Sequence, residues 1–197
     1  MNSILSISRL FEIHNELVKS NISSTEVLNA SDELWKYIEM NHRCNQMFWH
    51  EEDLARRNDV EPREIMLNKR AIDQFNQKRN DAIERIDFEL LSVLQKIKLN
   101  QDARQSSETA GSMIDRLSIL SLKIHATNCQ IERKDVSDDH IKICKSRFET
   151  LTIQRQDLAT CLDYLLSQFL AGKEYFKIYK QYKMYNDPQF NQFIKNI

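Results

Sequence analysis

Gly111 and Gly172, with Pro62 and Pro188, are all that this 197-residue chain holds of the two residue types that turn a backbone sharply. Hairpins and strand-to-helix loops draw on both, so a sheet-rich fold is excluded and the expected class is all-α. The same scarcity rules out a glycine-rich phosphate cradle and a strand-to-helix nucleophile elbow. Cysteine is sparse as well. Cys44, Cys129, Cys144 and Cys161 stand at irregular spacing without a Cys-x-x-Cys pair, and a chain of this length needs no disulfide to hold its core. No window approaches the roughly 18 apolar residues of a membrane span, and the amino terminus lacks the basic start and apolar stretch of a secretion signal. A cytoplasmic protein is expected. Charge of one sign is missing too: Lys and Arg number 28 against 29 Asp and Glu, a formal net charge of −1. That balance gives no bulk reason for binding nucleic acid or an anionic membrane, and leaves only local patches open.

What is present suits amphipathic helices: 41% hydrophobic and 29% charged residues, enough apolar content to fold. Residues 1–197 read as a single all-helical domain, an antiparallel bundle of about five helices. Leu5, Leu10, Phe11, His14 and Leu17 recur at helical spacing until Asn21-Ile-Ser-Ser-Thr interrupts them. Ser31 has the character of an N-cap for a second helix that runs through Leu34, Ile38, Phe48 and Trp49 to about Arg57. Pro62 fits the first turn of a third helix, expected to be the longest and to reach about Lys98. Residues 100–111 read as a loop. A fourth helix follows, apolar on two sides (Met113, Leu117, Leu120, Ile124; Ile119, Leu122, Ala126) and therefore central. Ser137 caps a fifth helix carrying Cys144, Phe148, Leu158, Leu162 and Phe169, with Gly172 as its C-terminal cap. The aromatic and basic stretch from Tyr175 to Pro188 is expected as a short helix and an extended tail packed on the bundle.

Polar residues intrude on the apolar stripes in two places. Projection at 3.6 residues per turn sets Asn45 and Glu52 in line with Leu34 and Ile38, flanked by His42, Trp49, Asp53 and Arg56, with His50 further around. On the third helix, Arg79 falls within the stripe of Ile72, Ile83, Ile86 and Leu90, while Asn76, Asn80, Glu84 and Asp87 share one side. A polar group buried without a partner costs about 1–3 kcal/mol, so two such clusters point to a shared network or a ligand site. As a network, carboxylates pair with Arg79, Arg56 or Arg116 and amides bridge the helices. As a site, Glu52, Asp53, Glu84 and Asp87 meet and hold a divalent cation such as Mg2+. A second constellation, His125-x-x-x-Cys129 and His140-x-x-x-Cys144, has ligands that suit zinc. Against zinc, Cys144 falls on the apolar face, where free cysteine packs as a small hydrophobe.

Trp49-His-Glu-Glu-Asp-Leu-Ala-Arg56, Asn76-x-x-Arg-Asn-x-x-x-Glu-x-Ile-Asp87, Asp115-Arg-Leu-Ser-Ile-Leu-Ser-Leu-Lys123, Gln154-Arg-x-Asp-Leu158 and Lys183-Met-Tyr-Asn-Asp-Pro188 together resemble a bacterial domain-of-unknown-function family, DUF4254, over most of the chain. The resemblance implies an all-helical cytosolic protein, often encoded near lipopolysaccharide and other envelope-sugar transfer genes. Its polar signature carries over to His50, Glu52, Asp53 and Arg56, to Asn76, Asn80, Glu84 and Asp87, and to Asp115, Arg116 and Lys123.

Three functions follow as expectations. In the first, Arg56, Arg79, Arg116 or Lys123, with Asn76, Asn80 and Asp115, hold a sugar phosphate or nucleotide sugar, and His50 with Glu52, Asp53, Glu84 or Asp87 supplies acid–base chemistry. In the second the chain is a magnesium-dependent all-α nucleotide pyrophosphohydrolase, although Glu51-Glu52-Asp53 lacks the Glu-Glu-x-x-Glu element of that class. In the third it is a non-catalytic scaffold, a homodimer or the partner of a glycosyltransferase. Likeness of Arg79–Leu94 to the first helix of chorismate mutases fails, because Asn80 and Ile97 stand where arginines are required.

Overall fold

A computed structural model describes residues 4–20 and 32–193. The described residues form five α-helices: α1 (Ile7–Leu17), α2 (Glu33–Leu54), α3 (Pro62–Leu94), α4 (Ala110–Ile131) and α5 (Asp138–Leu170). Two short strands, β1 (Arg104–Gln105) and β2 (Glu174–Tyr175), pair in parallel, and a single 3₁₀ turn covers Met184–Asn186. The all-α class read from the sequence is what the chain adopts.

Local chemistry sets the boundaries. The Ser6 hydroxyl accepts from the Arg9 amide to start α1, Pro62 opens α3, and the Ser137 hydroxyl accepts from the His140 amide ahead of Asp138 and Asp139 in the first turn of α5. The cap of α2 is Asp32, whose carboxylate takes the Leu34 amide at 3.0 Å. Ser31, the cap expected there, and the break at residues 21–25 lie outside the described residues. α5 closes in a Schellman motif: Gly172 takes φ +69°, its amide bonds to the Phe169 carbonyl, and the Lys173 amide bonds to that of Gln168.

Several expectations are corrected. α2 stops at Leu54 and α3 at Leu94, short of Arg57 and Lys98, and α5 equals α3 at 33 residues, so there are two long helices. The loop at residues 100–111 contains β1 and ends inside α4, which begins at Ala110. Thr109 and Ser112 form a capping box there, each hydroxyl taking the other's amide at 3.1 Å. Beyond Gly172 the chain enters β2 and an extended run in place of a short helix; Phe176 is buried, while Tyr179, Tyr182, Tyr185, Phe190 and Phe193 are exposed.

The apolar core gathers Leu10 from α1, Trp35 and Ile38 from α2, Ile86, Leu90 and Leu94 from α3, Ile114 and Leu117 from α4, and Leu162, Leu165 and Phe169 from α5. Each such side chain stabilises the fold by about 1.5–3 kcal/mol when fully buried. α4 packs against α1, α2, α3 and α5, which is why both its flanks are apolar. The last turns of α2 meet the first turns of α3, where Asn68 donates to Glu51 at 2.7 Å and Lys69 pairs with Glu52 at 3.7 Å.

Candidate functional site

The face of α2 turned toward α4 carries Asn41, His42 and Asn45, and α4 answers with Asp115, Ser118 and Ser121; all six are buried. Asp115 Oδ1 accepts from Asn41 Nδ2 at 2.9 Å, Asn45 Nδ2 at 3.0 Å and Arg79 Nε at 2.8 Å, and its Oδ2 accepts from Arg79 Nη2 at 2.5 Å. One helix, α2, therefore supplies both amides, and α3 supplies the cation that neutralises the carboxylate of α4. This bidentate bond makes the Arg79 guanidinium hold its proton more firmly than usual.

The network continues inward. Asn45 also donates to Ser118 Oγ at 2.9 Å, and the Ser118 hydroxyl lies 2.8 Å from His42 Nδ1. That oxygen carries one proton and two lone pairs, so it takes Asn45 and still meets either tautomer of His42. The His42 ring stacks on His14, with centroids 4.6 Å apart and planes 15° from parallel. His14 Nδ1 faces Ser121 Oγ at 3.5 Å, and Ser121 takes Arg155 Nη1 at 3.3 Å. Among the described residues neither Nε2 has a partner. Burial, reinforced by the other histidine and Arg155, pushes the His14 pKa well down; burial and then Arg43 bring His42 to about 3. Both rings are neutral at physiological pH.

Asp87 belongs elsewhere. It accepts the Gly111 amide at 2.6 Å in the first turn of α4 and joins that helix to α3. A Cβ on residue 111 would stand 2.6 Å from the Ile83 carbonyl oxygen and 2.8 Å from the Asp87 carboxylate, so glycine is what allows the approach. Burial raises the Asp87 pKa to about 6, against the lowering effect of the Thr109 and Gly111 hydrogen bonds.

Above Arg79 lies a cavity of about 420 Å3 bordered by Asn45, Phe48, Trp49, Glu52, Asp53, Arg56 and Lys123. Adjoining it are spaces of about 230 Å3 beside His50 and His125, about 400 Å3 beside His140, Cys144 and Arg147, and about 670 Å3 beside Arg116, Gln154, Asp157 and Cys161. Shared walls make these the compartments of one groove along α4. Trp49 and Asp53 border three compartments, and so does Lys123. Arg56 pairs with Glu52 at 2.6 Å and Arg116 with Glu108 at 2.7 Å. Neither Lys123 nor Asp53 enters an ion pair among the described residues.

The structure thus brings together Glu52, Asp53, Arg56, Arg79 and Lys123, sets Asp115 beneath them, His50 in one adjoining compartment and Arg116 in another. It separates the rest. Asn80 is buried and Asn76 half-buried on α3 without bordering any of these cavities, and Glu84 accepts from the Gln181 amide of the tail at 3.4 Å. The cation quartet Glu52, Asp53, Glu84 and Asp87 is therefore corrected, since Asp87 is spent on α4 and Glu84 on the tail. For the two His–Cys pairs, already disfavoured as a zinc site from the sequence, each Sγ faces its own helix neighbour, Cys129 to His125 at 3.7 Å and Cys144 to His140 at 3.4 Å. Among the described residues no group of three or more His, Cys, Asp or Glu is placed to hold a metal. Sequence reasoning missed Ser118, Ser121 and Arg155. The available signal was two serines, one turn apart, inside an apolar stripe.

Residues 35–178, from the start of α2 to the beginning of the tail, match the family model described as Protein of unknown function (DUF4254). The chain belongs to that family. No curated protein and no solved structure matches it.

Proposed function

We propose that the groove along α4 binds a small phosphorylated sugar, either a sugar phosphate or a nucleotide sugar, and that the chain serves envelope-polysaccharide synthesis in the cytoplasm, as its family resemblance implies. One observation carries the reading: Lys123 and Asp53, two charged groups in no ion pair among the described residues, both border the same cavity with Trp49. Lys123 offers an ammonium to a phosphate, Trp49 an aromatic face to a sugar ring, and Asp53 and Glu52 acceptors for hydroxyl groups. The Arg79 fork is committed to Asp115 through Nε and Nη2, which leaves Nη1 for a ligand. A volume of about 420 Å3 lies in the usual range for small-ligand pockets. His50 and Asp53 border a common compartment and are the pair to test for proton transfer.

Calorimetry with glucose 1-phosphate and a uridine diphosphate sugar tests the reading. Binding is expected for at least one, and Lys123→Gln is expected to weaken it by about tenfold or more, the worth of a charge-assisted hydrogen bond, with an unchanged melting temperature. Equal affinity in Lys123→Gln, or no heat with either compound, overturns the assignment.

A further inference from the structure

From Phe176 to Tyr185 the chain repeats every three residues: aromatic rings at Phe176, Tyr179, Tyr182 and Tyr185, each of the first three followed by a lysine, Lys177, Lys180 and Lys183, with no acidic residue among them. Only Phe176 is used by the core. Tyr179, Tyr182 and Tyr185 are 62%, 81% and 63% exposed, and Met184, Phe190 and Phe193 beyond them are 54%, 62% and 84% exposed. So many large apolar groups in water within one short segment mark an interaction surface. They are not scattered: Tyr182, Lys183, Met184 and Phe190, with Asp187 as the one acidic side chain, border one concavity against Gln77 of α3. The end of the bundle where the tail departs, about 25 Å along α3 from Gln77, carries a second group of the same kind. There the Asn100 amide bonds to the Gly172 carbonyl, Leu99 and Leu170 are each 39% exposed, and Lys98, Arg104 and Lys173, with a single acid, Asp102, are exposed beside them.

We infer that the face running from this end of the molecule along α3, with the segment Lys177–Phe193, is a docking surface for an anionic lipid bilayer. A chain whose overall charge is near zero has concentrated lysine and aromatic side chains here, and each type fits one layer of such a surface. Tyrosine rings rest at headgroup level with the hydroxyl in water, Met184, Phe190 and Phe193 enter the acyl boundary, and the lysines reach phosphates while their stems lie along apolar surface. No helix among the described residues is long and apolar enough to cross a membrane, so the association is peripheral. Single-stranded nucleic acid also takes lysine and aromatic rings, yet it gives Met184, Leu99 and Leu170 nothing to enter.

Co-sedimentation of the whole protein with vesicles is the test, using phosphatidylcholine alone and an equal mixture of phosphatidylcholine and phosphatidylglycerol. Binding is expected to the mixed vesicles at low salt, to fall at high salt, and to be weak on the neutral ones. A lysine near an anionic surface is worth about fivefold in partitioning, so Lys177→Gln, Lys180→Gln and Lys183→Gln together are expected to weaken binding about a hundredfold. Their circular dichroism should stay that of the wild type, because all three side chains lie outside the core. A second variant, Tyr182→Ser with Phe193→Ser, is expected to lose binding while keeping every charge. No binding to mixed vesicles, equal binding to neutral ones, or an undiminished triple variant overturns the inference. Capture of oligouridine without vesicle binding would assign the surface to nucleic acid instead.

Discussion

The stacked pair His14 and His42 is the place where a single proton matters most. Both side chains are wholly buried with Nε2 unpartnered among the described residues, and both pKa values are depressed, His42 to about 3. A histidine in the unfolded chain titrates near 6.5. Below that pH the unfolded state takes up two protons that the folded state refuses, so stability is full above 6.5 and falls as the solution is acidified. Asp87 acts in the opposite sense. Its folded pKa is raised to about 6 from 3.8, so the folded state binds the extra proton between those values and gains stability as pH falls through them. The histidines outweigh the carboxyl by one proton, so the net stability falls as the pH is lowered below 6. Urea unfolding at pH 5 and 7 checks it. Asp87→Asn, which keeps an acceptor for the Gly111 amide, is expected to steepen the fall, and His42→Phe to flatten it. A wild-type stability independent of pH over this range would refute the neutral buried pair.

At the scale of elements, α4 organises the molecule because its first turn is held three ways: by the Thr109 and Ser112 capping box, by Asp87 on the Gly111 amide, and by the absence of a side chain at Gly111. A negative carboxylate at a helix N-terminus is favourable in itself. Gly111→Ala normally favours a helix, by up to about 1 kcal/mol. Here the new methyl meets the Ile83 carbonyl of α3, and a loss of about 1–3 kcal/mol is expected from overpacking, read as a lower urea midpoint with an unchanged slope. A gain in stability would mean that α3 and α4 do not approach so closely. Gly172 differs: its positive φ is a property of the α5 terminus, and that role was legible from sequence as a glycine after an apolar run. The role of Gly111 was not, since nothing near it in sequence announces Asp87, 24 residues earlier.

Across the whole molecule, the network from Arg79 to Arg155 crosses every helix and the groove lies along its outer side. Stability and ligand binding are therefore separable. Arg79→Leu leaves Asp115 buried with two amides and no cation, and is expected to cost about 3 kcal/mol or more, seen as a fall in melting temperature with no ligand present. Lys123→Gln, on the exposed rim, is expected to leave that temperature unmoved. If both variants melt alike, Asp115 is not held as a buried ion pair.

Much of this was legible along the chain. Helical periodicity gave five helices, and the polar residues breaking the α2 and α3 stripes were where a network runs. Caps at Pro62, Ser137 and Gly172 were legible because capping is a contact between residues a few positions apart. Projection onto single helices erred when it let Glu52, Asp53, Glu84 and Asp87 share a site, since a shared face on one helix says nothing about which helix it meets. The sequence by itself determined the helices, their apolar faces and the charges they carry, all set by interactions within about one turn. Only the tertiary structure decided which partner each polar group found: Asp115 for Arg79, Gly111 for Asp87, His14 for His42. Those pairings join residues 24 to 36 positions apart, and how helices pack, at distances no local pattern records, selects among many chemically equal choices.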